Sequence, residues 1–414
     1  MSARIALPGR AAPLEIAAPG WAAGYPPPTS RRVYAAAHVA SIDSGDLIDW
    51  EATLRFRDHL WSHGFAVAEA MDTAQRGMGL SWGLARELIA SSAERAAARR
   101  AAGRFAGLAC GAGTDHLAAD KSHSITEIID AYAVQLEYVQ WAGSGAWAGP
   151  VGSVGSVGEA AAGSAREAAA GSAGSVGETR VILMASRALA ATARGPRDYL
   201  EVYGELLKQA RQPVILHWLG AAFDPGLDGY WGGGDFESAT ATVLELIQRA
   251  GDKVDGVKLS VLDADKEVAL RRRLPAGIRL YTGDDFGYAD LIRGDDAGHS
   301  DALLGAFAAV TAPAAAALHA LDAGDLAGYE AAIGPTVPLS RLIFEAPTYY
   351  YKAGVAFLAW LNGLQPRFSM LDGMERRRPA GHLIRVFELA AAAGALTDPD
   401  LAVSRMSEFL RAQA

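Results

Sequence analysis

An alternation of strand-type and helix-type segments runs from residue 33 to residue 307 and constrains the fold most. Short apolar runs predict eight strands, which begin near Val33, Gly64, Arg104, Arg180, Gln212, Lys253, Ile278 and Asp301. Segments with helical periodicity separate most of these runs, and consecutive strands joined through helices pair in parallel. Eight such units predict an α/β fold, a closed (β/α)8 TIM barrel.

An open, doubly wound parallel sheet is the alternative fold. That fold binds dinucleotides through a Gly-x-Gly-x-x-Gly turn after its first strand, and no such turn follows Val33–Ser41. Two helix starts are well marked. Ser81 predicts the N-cap of a helix from Trp82 to Ala101, and Ser124-Ile-Thr-Glu127 is a capping-box pattern.

Composition divides the chain into regions. Residues 1–31 are rich in Pro and Gly and predict an irregular N-terminal arm. Residues 32–311 form the barrel, and residues 312–414 form a C-terminal helical region. Within the barrel, residues 143–178 consist of Gly, Ser, Ala and Val repeats that are too poor in bulky apolar groups to fold alone. We interpret them as a flexible, low-complexity insertion.

Charge and hydropathy exclude several classes of protein. The chain has 38 basic and 47 acidic residues, a net charge of −9, which argues against general binding to nucleic acid or to anionic membranes. No apolar run reaches the roughly 18 residues of a membrane helix, and the N-terminus lacks a signal-peptide core. Cys110, the single cysteine, is compatible with a reducing compartment. We expect a cytoplasmic protein.

Polar residues cluster where the predicted strands end. In a TIM barrel these positions form one rim, which carries the active site. The rim residues are Glu69, Asp72, Thr73, Thr114, Asp115, His116, Ser186, Arg187, His217, Trp218, Lys258, Ser260, Thr282, Asp284 and Asp285. These residues include one lysine, two histidines, one arginine and several carboxylates. Their position at one mouth of the barrel predicts an active site.

Lys258 is the strongest candidate for catalysis. In an extended segment Gly256, Lys258 and Ser260 share the face opposite Val257 and Leu259. Burial disfavours the charged amine, and a neutral amine attacks a ketone or aldehyde to give an imine that withdraws electrons. The alternative is that Lys258 only forms an ion pair with Asp284 or Asp285 and stays charged.

Three motifs carry a resemblance to a known superfamily. Asp255-Gly-Val-Lys258, with Asp263 five positions on, resembles the strand-six Schiff-base signature of the dihydrodipicolinate synthase and N-acetylneuraminate lyase superfamily. Thr282-Gly-Asp-Asp285 resembles its Ser/Thr-Gly-Asp-Asp motif after strand seven, and Ala346-Pro-Thr-Tyr-Tyr-Tyr-Lys352 resembles its Asn-Pro…Lys segment. Apart from residues 143–178, the whole chain is similar to an uncharacterised bacterial family described as dihydrodipicolinate synthase-like.

The resemblance implies a TIM barrel with C-terminal helices, assembled as a homodimer or homotetramer and needing no cofactor. It implies a class I aldolase or lyase that cleaves or forms a carbon–carbon or carbon–oxygen bond of a keto acid such as pyruvate, or of a sugar-derived keto compound. The superfamily's strand-four tyrosine, its proton relay, would fall near Met184-Ala-Ser-Arg187, where this sequence has no tyrosine. A carboxylate or His217 is then the candidate for proton transfer.

The site residues follow from this mechanism. Lys258 forms the imine, His217 moves protons, and Asp284 sets the electrostatics of the amine. Thr73 and Arg187 orient the substrate, since a guanidinium can hold a carboxylate or phosphate. The remaining candidate substrate contacts are Glu69, Asp115, Ser260 and Asp285.

Two other functions stay open. The first is a metal-dependent TIM-barrel isomerase or class II aldolase, because carboxylates with histidine suit Zn²⁺, Mn²⁺ or Mg²⁺. Its candidate ligands are Glu69, Asp115, His116, His217 and Asp285. The second is a noncatalytic barrel that binds a metabolite and regulates a partner.

Overall fold

The strands form one closed barrel and one small hairpin. The computed structural model of the chain describes residues 2–43, 45–72, 75–144 and 179–413. Its strands are β1 (Ser2–Ile5), β2 (Leu14–Ala17), β3 (Val33–Ala36), β4 (Ala66–Glu69), β5 (Leu108–Ala112), β6 (Arg180–Leu183), β7 (Val214–Leu219), β8 (Val254–Ser260), β9 (Arg279–Thr282) and β10 (Asp301–Leu304). From β3 to β10 each strand pairs in parallel with the next, and β10 closes on β3.

Helices surround the barrel and build the C-terminal region. They are α1 (Trp50–Ser62), α2 (Trp82–Ala101), α3 (Ile125–Gly143), α4 (Arg187–Thr192), α5 (Pro196–Gln209), α6 (Phe236–Ala250), α7 (Ala264–Arg271), α8 (Tyr288–Arg293), α9 (Ala306–Ala309), α10 (Thr311–Asp322), α11 (Leu326–Ile333), α12 (Thr336–Ile343), α13 (Lys352–Leu361), α14 (Ala380–Ala392) and α15 (Pro399–Gln413). Both predicted helix starts are present: Ser81 caps α2, and Ser124 forms a capping box with Glu127.

The eight-stranded barrel confirms the predicted fold, including Asp301–Leu304 as the eighth strand. Side chains alternate along each strand between two separate cores. Ala68, Ile215 and Tyr281 pack together in the lumen. Val257 and Leu259 belong to the larger core between the strands and the helices. This alternation decides which polar residues of the strands reach the lumen.

The N-terminal arm differs from the sequence-based prediction. Residues 1–31 were expected to be irregular, but β1 and β2 form an antiparallel hairpin in which Ser2 pairs with Ala17 and Ile5 with Leu14. Exposed and buried residues alternate along β1, and Ile16 of β2 is buried. The hairpin packs on α14 and α15, so it joins the C-terminal region.

Two predicted features lie outside the described residues. Helix α3 ends at Gly143, and residues 145–178 of the low-complexity insertion are among those not described. Thr73, a predicted substrate contact, is the other. In the part of the chain that is described, no helix is both long and apolar enough to cross a membrane.

Candidate active site

Lys258 projects from β8 into the barrel lumen. Its strand neighbours Val257 and Leu259 pack outward against the helices, and alternation places Lys258 on the opposite face. In register, Lys258 lies beside His217 of β7 and Tyr281 of β9. The residue is 6% exposed, so its amine is nearly removed from solvent.

Gly283 makes room for the lysine. A Cβ at this position would lie 2.9 Å from Lys258 Cε and 2.1 Å from Ser260 Oγ. Both distances are shorter than a carbon–carbon or carbon–oxygen contact permits, so a larger residue would displace the two lumen side chains. The glycine of the Thr282-Gly-Asp-Asp285 motif therefore has a steric role beside the amine.

Two carboxylates act on the lysine. Burial lowers the pKa of Lys258, and Lys352 lowers it further, whereas the charges of Asp72 and Asp285 oppose this shift. Burial also raises the pKa of Asp285, opposed by the backbone N–H of Ala306, which donates to its Oδ1 at 2.8 Å, and by Lys258. Both shifts favour the uncharged forms, so the pair can exist as a neutral amine beside a neutral acid.

Two residues of the C-terminal region contact Asp72, one of the two carboxylates that act on Lys258. The Tyr351 hydroxyl donates to Asp72 Oδ1, and the Lys352 ammonium lies 2.9 Å from Asp72 Oδ2. Lys352 also donates to the carbonyl oxygens of Ala36, at 2.7 Å, and Ala37, at 3.1 Å. These bonds attach the start of α13 to the end of β3, at the carboxyl rim.

Sequence reasoning missed Tyr351 and Lys352 as site residues. It placed Asp72 at the rim but gave it no role. The available signal was the polar run Tyr349-Tyr-Tyr-Lys352 at the start of a helix that is otherwise apolar. The run was matched to a family motif without being assigned to the mouth of the barrel.

His217 and Ser260 are the other polar groups of the lumen near Lys258. His217 Nε2 lies 3.3 Å from Ser260 Oγ, whereas Nδ1 is buried without a hydrogen-bond partner among the described residues. Burial, and then the charge of Lys258, lowers the pKa of His217 well below its ordinary value. The imidazole is therefore neutral at physiological pH, with one ring nitrogen still able to bind a ligand atom.

Glu69 is not part of the lumen. It follows Ala68 on β4 and points outward, where Arg57 of α1 donates to both carboxylate oxygens at 2.8 Å. Ser92 of α2 donates to the same carboxylate at 2.7 Å. Both side chains of the ion pair are fully buried, so Glu69 joins the barrel to its helices.

Asp115 and His116 lie after β5 and are bound to neighbouring side chains. Burial opposes the charged form of Asp115, but its ion pair with Arg76 and a 3.0 Å hydrogen bond from Gln135 lower its pKa. His116 Nδ1 lies 2.8 Å from Gln135 Nε2. These contacts stabilise the loop and leave Asp115 without a free carboxylate oxygen.

Asp284 and Arg187 also lie away from the amine. Asp284 Oδ1 accepts hydrogen bonds from the backbone N–H groups of Phe286 and Gly287, at 2.9 and 2.8 Å, so it shapes the turn after β9. Arg187 donates through Nε to Asp224 at 2.6 Å, and its side chain is 57% exposed. Asp72 and Asp285, rather than Asp284, are the carboxylates that act on Lys258.

The five candidate metal ligands do not converge. Within the described ranges, no group of three or more His, Cys, Asp or Glu side chains is arranged to hold a metal ion. Glu69 is committed to Arg57 and Asp115 to Arg76. Both of these carboxylates are therefore already bound by a guanidinium group.

One protein-family model covers most of the chain. A family model described as "Protein of unknown function (DUF993)" matches residues 10–147 and 164–414. The chain belongs to this family. No curated protein matches it in sequence. The uncharacterised family expected from the sequence motifs is thereby confirmed.

Solved structures with the same fold include several dihydrodipicolinate synthases. The enzyme from Aquifex aeolicus has a TM-score of 0.57 and 12% identity, covering 88% of this chain and 99% of its own. The Bacillus anthracis enzyme has a TM-score of 0.57 and 14% identity, with coverages of 87% and 97%. The Bacillus clausii enzyme has a TM-score of 0.58 and 12% identity, with coverages of 88% and 98%. This family member therefore has a dihydrodipicolinate synthase-like barrel, as predicted.

Proposed function

We propose that this protein is a class I aldolase or lyase in which Lys258 forms an imine with a small keto compound. The observation that supports the proposal best is the position of the amine. It lies in the lumen, nearly buried, with the carboxyl group of Asp285 acting on it. A lysine removed from water beside an acid with a raised pKa has both groups that imine formation needs.

The proposed reaction begins with the neutral amine of Lys258. Its nitrogen forms a bond to the carbonyl carbon, and the carbonyl π electrons move to oxygen, giving a carbinolamine. The carbon–oxygen bond then breaks, the nitrogen lone pair forms the C=N bond, and the protonated Asp285 supplies the proton with which hydroxide leaves as water. One proton is consumed, and the iminium ion is left beside the Asp285 carboxylate.

His217 is the candidate base for the next step. The iminium withdraws electrons from the neighbouring carbon, so a C–H, C–C or C–O bond there can break. The unpartnered Nδ1 of His217 can accept the proton released, because the ring is neutral and the residue pairs in register with Lys258. Ser260 Oγ, 3.3 Å from Nε2, orients the ring.

The charges at the mouth favour a sugar-derived keto compound over a keto acid. Arg187, the cation predicted to hold a substrate carboxylate, is paired with Asp224. Lys352 is committed to Asp72 and to two backbone carbonyls. A hydroxylated ketone has no negative charge, so it needs no cation to bind it. The solved structures of this fold, by contrast, are named as dihydrodipicolinate synthases.

Reductive trapping tests the proposal. Because Lys258 is only 6% exposed, the panel consists of two small carbonyl compounds: dihydroxyacetone, a hydroxylated ketone, and pyruvate, a keto acid. Each is incubated with the protein and sodium cyanoborohydride, and the adduct is located by peptide mass mapping. We expect the adduct on Lys258, with little or none from pyruvate. Lys258→Met should abolish it.

The matched control is Lys253→Met. Lys253 lies just before β8 and donates to the Ala210 carbonyl at the opposite end of the barrel, so its loss should leave the adduct unchanged. An adduct on Lys352 in place of Lys258, or none with any compound, would overturn the covalent mechanism. Binding of a compound without an adduct or turnover would instead indicate a metabolite-binding barrel.

A further inference from the structure

We propose that Tyr351, acting with Asp72, transfers a proton between the nitrogen and the oxygen of the carbinolamine formed at Lys258. This inference rests on the proposed function and adds to it a catalytic residue from outside the barrel. Tyr351 precedes α13 in the C-terminal region, yet its hydroxyl is hydrogen-bonded to the aspartate that acts on Lys258.

The ring of Tyr351 is fixed at the end of β10. A Cβ at Gly305 would lie 2.7 Å from the ring, so the absence of a side chain at Gly305 admits it. Phe344 stacks on the ring with the centroids 4.3 Å apart, and Tyr351 is buried. The next backbone N–H, that of Ala306, holds Asp285 at 2.8 Å. Tyr351 and Asp285 are thus positioned by two consecutive residues.

Asp72 links the tyrosine to the lysine. It follows Met71, whose Sδ lies 3.8 Å from Lys258 Nζ. Lys352 binds Asp72 Oδ2 at 2.9 Å, which leaves Oδ1 for the hydroxyl of Tyr351. The carboxylate therefore contacts the phenol directly and acts on the amine through its charge, with its orientation fixed by a buried cation.

Tyr34 and Tyr281 pack in the lumen with their ring centroids 5.9 Å apart, whereas Tyr132, Tyr203 and Tyr230 belong to the core between the strands and the helices. Tyr281 is the register partner of Lys258, but its hydroxyl donates to Asp255, near the start of β8, at 2.5 Å. Tyr132 donates to the carbonyl of Met184, and the hydroxyls of Tyr203 and Tyr230 lie 2.8 Å apart. The hydroxyl of Tyr351, in contrast, donates to Asp72, whose charge acts on Lys258.

The transfer conserves protons. When the amine nitrogen bonds to the carbonyl carbon, it becomes positively charged and gives one proton to Asp72. Asp72 passes a proton to the Tyr351 oxygen as Tyr351 gives its own to the developing alkoxide. The phenol and the carboxylate end as they began, and the carbinolamine is neutral. Burial raises the pKa of Tyr351 well above its ordinary value, so a free phenolate is avoided when the two transfers occur together.

Tyr351→Phe tests this inference, because it keeps the ring packing and removes the hydroxyl. The rate of reductive trapping with dihydroxyacetone should fall by about 100-fold or more, the usual contribution of general acid–base catalysis. The matched control is Tyr349→Phe in the same run of tyrosines, whose ring contacts Tyr350. We expect the wild-type rate from it.

A second substitution separates catalysis from packing. 3-Fluorotyrosine at position 351 keeps the ring and the hydroxyl but makes the phenol more acidic. It should change the pH dependence of the trapping rate, which a packing role would leave unmoved. Trapping by Tyr351→Phe at the wild-type rate would overturn the relay while leaving the proposed function intact. An absence of adduct in the wild-type protein would overturn both.

Discussion

At the scale of single residues, Lys258 and Asp285 determine each other's protonation. Asp285→Asn keeps an oxygen for the Ala306 N–H but removes one of the two carboxylates, Asp72 and Asp285, whose charges raise the pKa of Lys258. The pKa of Lys258 should therefore fall further, by roughly one unit for loss of a close opposite charge. The measurement is the pH dependence of Lys258 acetylation by acetic anhydride, whose midpoint should move to lower pH.

Asp284→Asn is the control for that experiment. Its carboxylate is turned to the backbone of Phe286 and Gly287, and it is not among the charges that act on Lys258. The acetylation midpoint should therefore stay within a few tenths of a pH unit of the wild-type value, as a rough guide. A midpoint in the wild-type protein near that of an exposed lysine would contradict the effect of burial.

The sequence could predict the lysine but not which of Asp284 and Asp285 acts on it. Lys258 lies inside a regular strand, where alternation distinguishes lumen from helix layer. Asp284 and Asp285 lie beyond the end of β9, and alternation no longer applies there. Glu69 shows a second limit of the sequence. β4 has only four residues, and the sequence does not tell which of its alternating side chains face the lumen. The contacts with Arg57 and Ser92 identify its direction.

At the scale of elements, Glu267 joins α7 to the barrel. Thr282 of β9 and Ser300, just before β10, donate to its buried carboxyl group at 2.9 and 2.7 Å. Burial raises the pKa of Glu267 to about 8, opposed by these two hydroxyls. The folded protein therefore binds this proton more tightly than the unfolded chain, in which the pKa of the glutamate is about 4.5.

Protonation of Glu267 stabilises the folded protein at low pH. Stabilisation by proton binding at Glu267 is complete below the unfolded pKa and is lost as pH rises through the folded one, between about 4.5 and 8. Glu267→Gln should remove this dependence, changing the stability difference from wild type by on the order of a few kcal/mol across that window. Urea unfolding at several pH values measures it. Glu237→Gln, at a side chain 74% exposed, should leave the profile unchanged.

The elements were largely predictable because the barrel strands and helices have strong periodicity. The ends of the strands were less predictable. The third predicted strand begins at Arg104, whereas β5 begins at Leu108. The hairpin was missed because β1 and β2 have only four residues each, which is too short for alternation to stand out in a Pro- and Gly-rich segment. Contacts with residues distant in sequence determine whether such short strands form.

At the scale of the molecule, the C-terminal region is part of the site. Tyr351 and Asp72 are 279 positions apart in the chain, and no local pattern predicts their hydrogen bond. The N-terminal hairpin in turn holds the C-terminal region, through Trp21 Nε1 to the Gly394 carbonyl at 2.7 Å and Arg10 to Glu388 at 2.9 Å. The two ends of the chain therefore pack together on one side of the barrel.

Ile16→Ala tests whether this packing stabilises the whole molecule. Ile16 is 1% exposed and belongs to the same core as the barrel strands, so truncation should lower the free energy of unfolding by about 2 to 4 kcal/mol. Leu14→Ala, at a partly buried position on the same strand, should cost less. Tryptophan fluorescence and far-UV circular dichroism during urea unfolding should shift together in the Ile16 variant. If an early transition separated from the main one, the hairpin and C-terminal helices would unfold independently of the barrel, and the mouth around Lys258 would lose Tyr351 before the strands come apart.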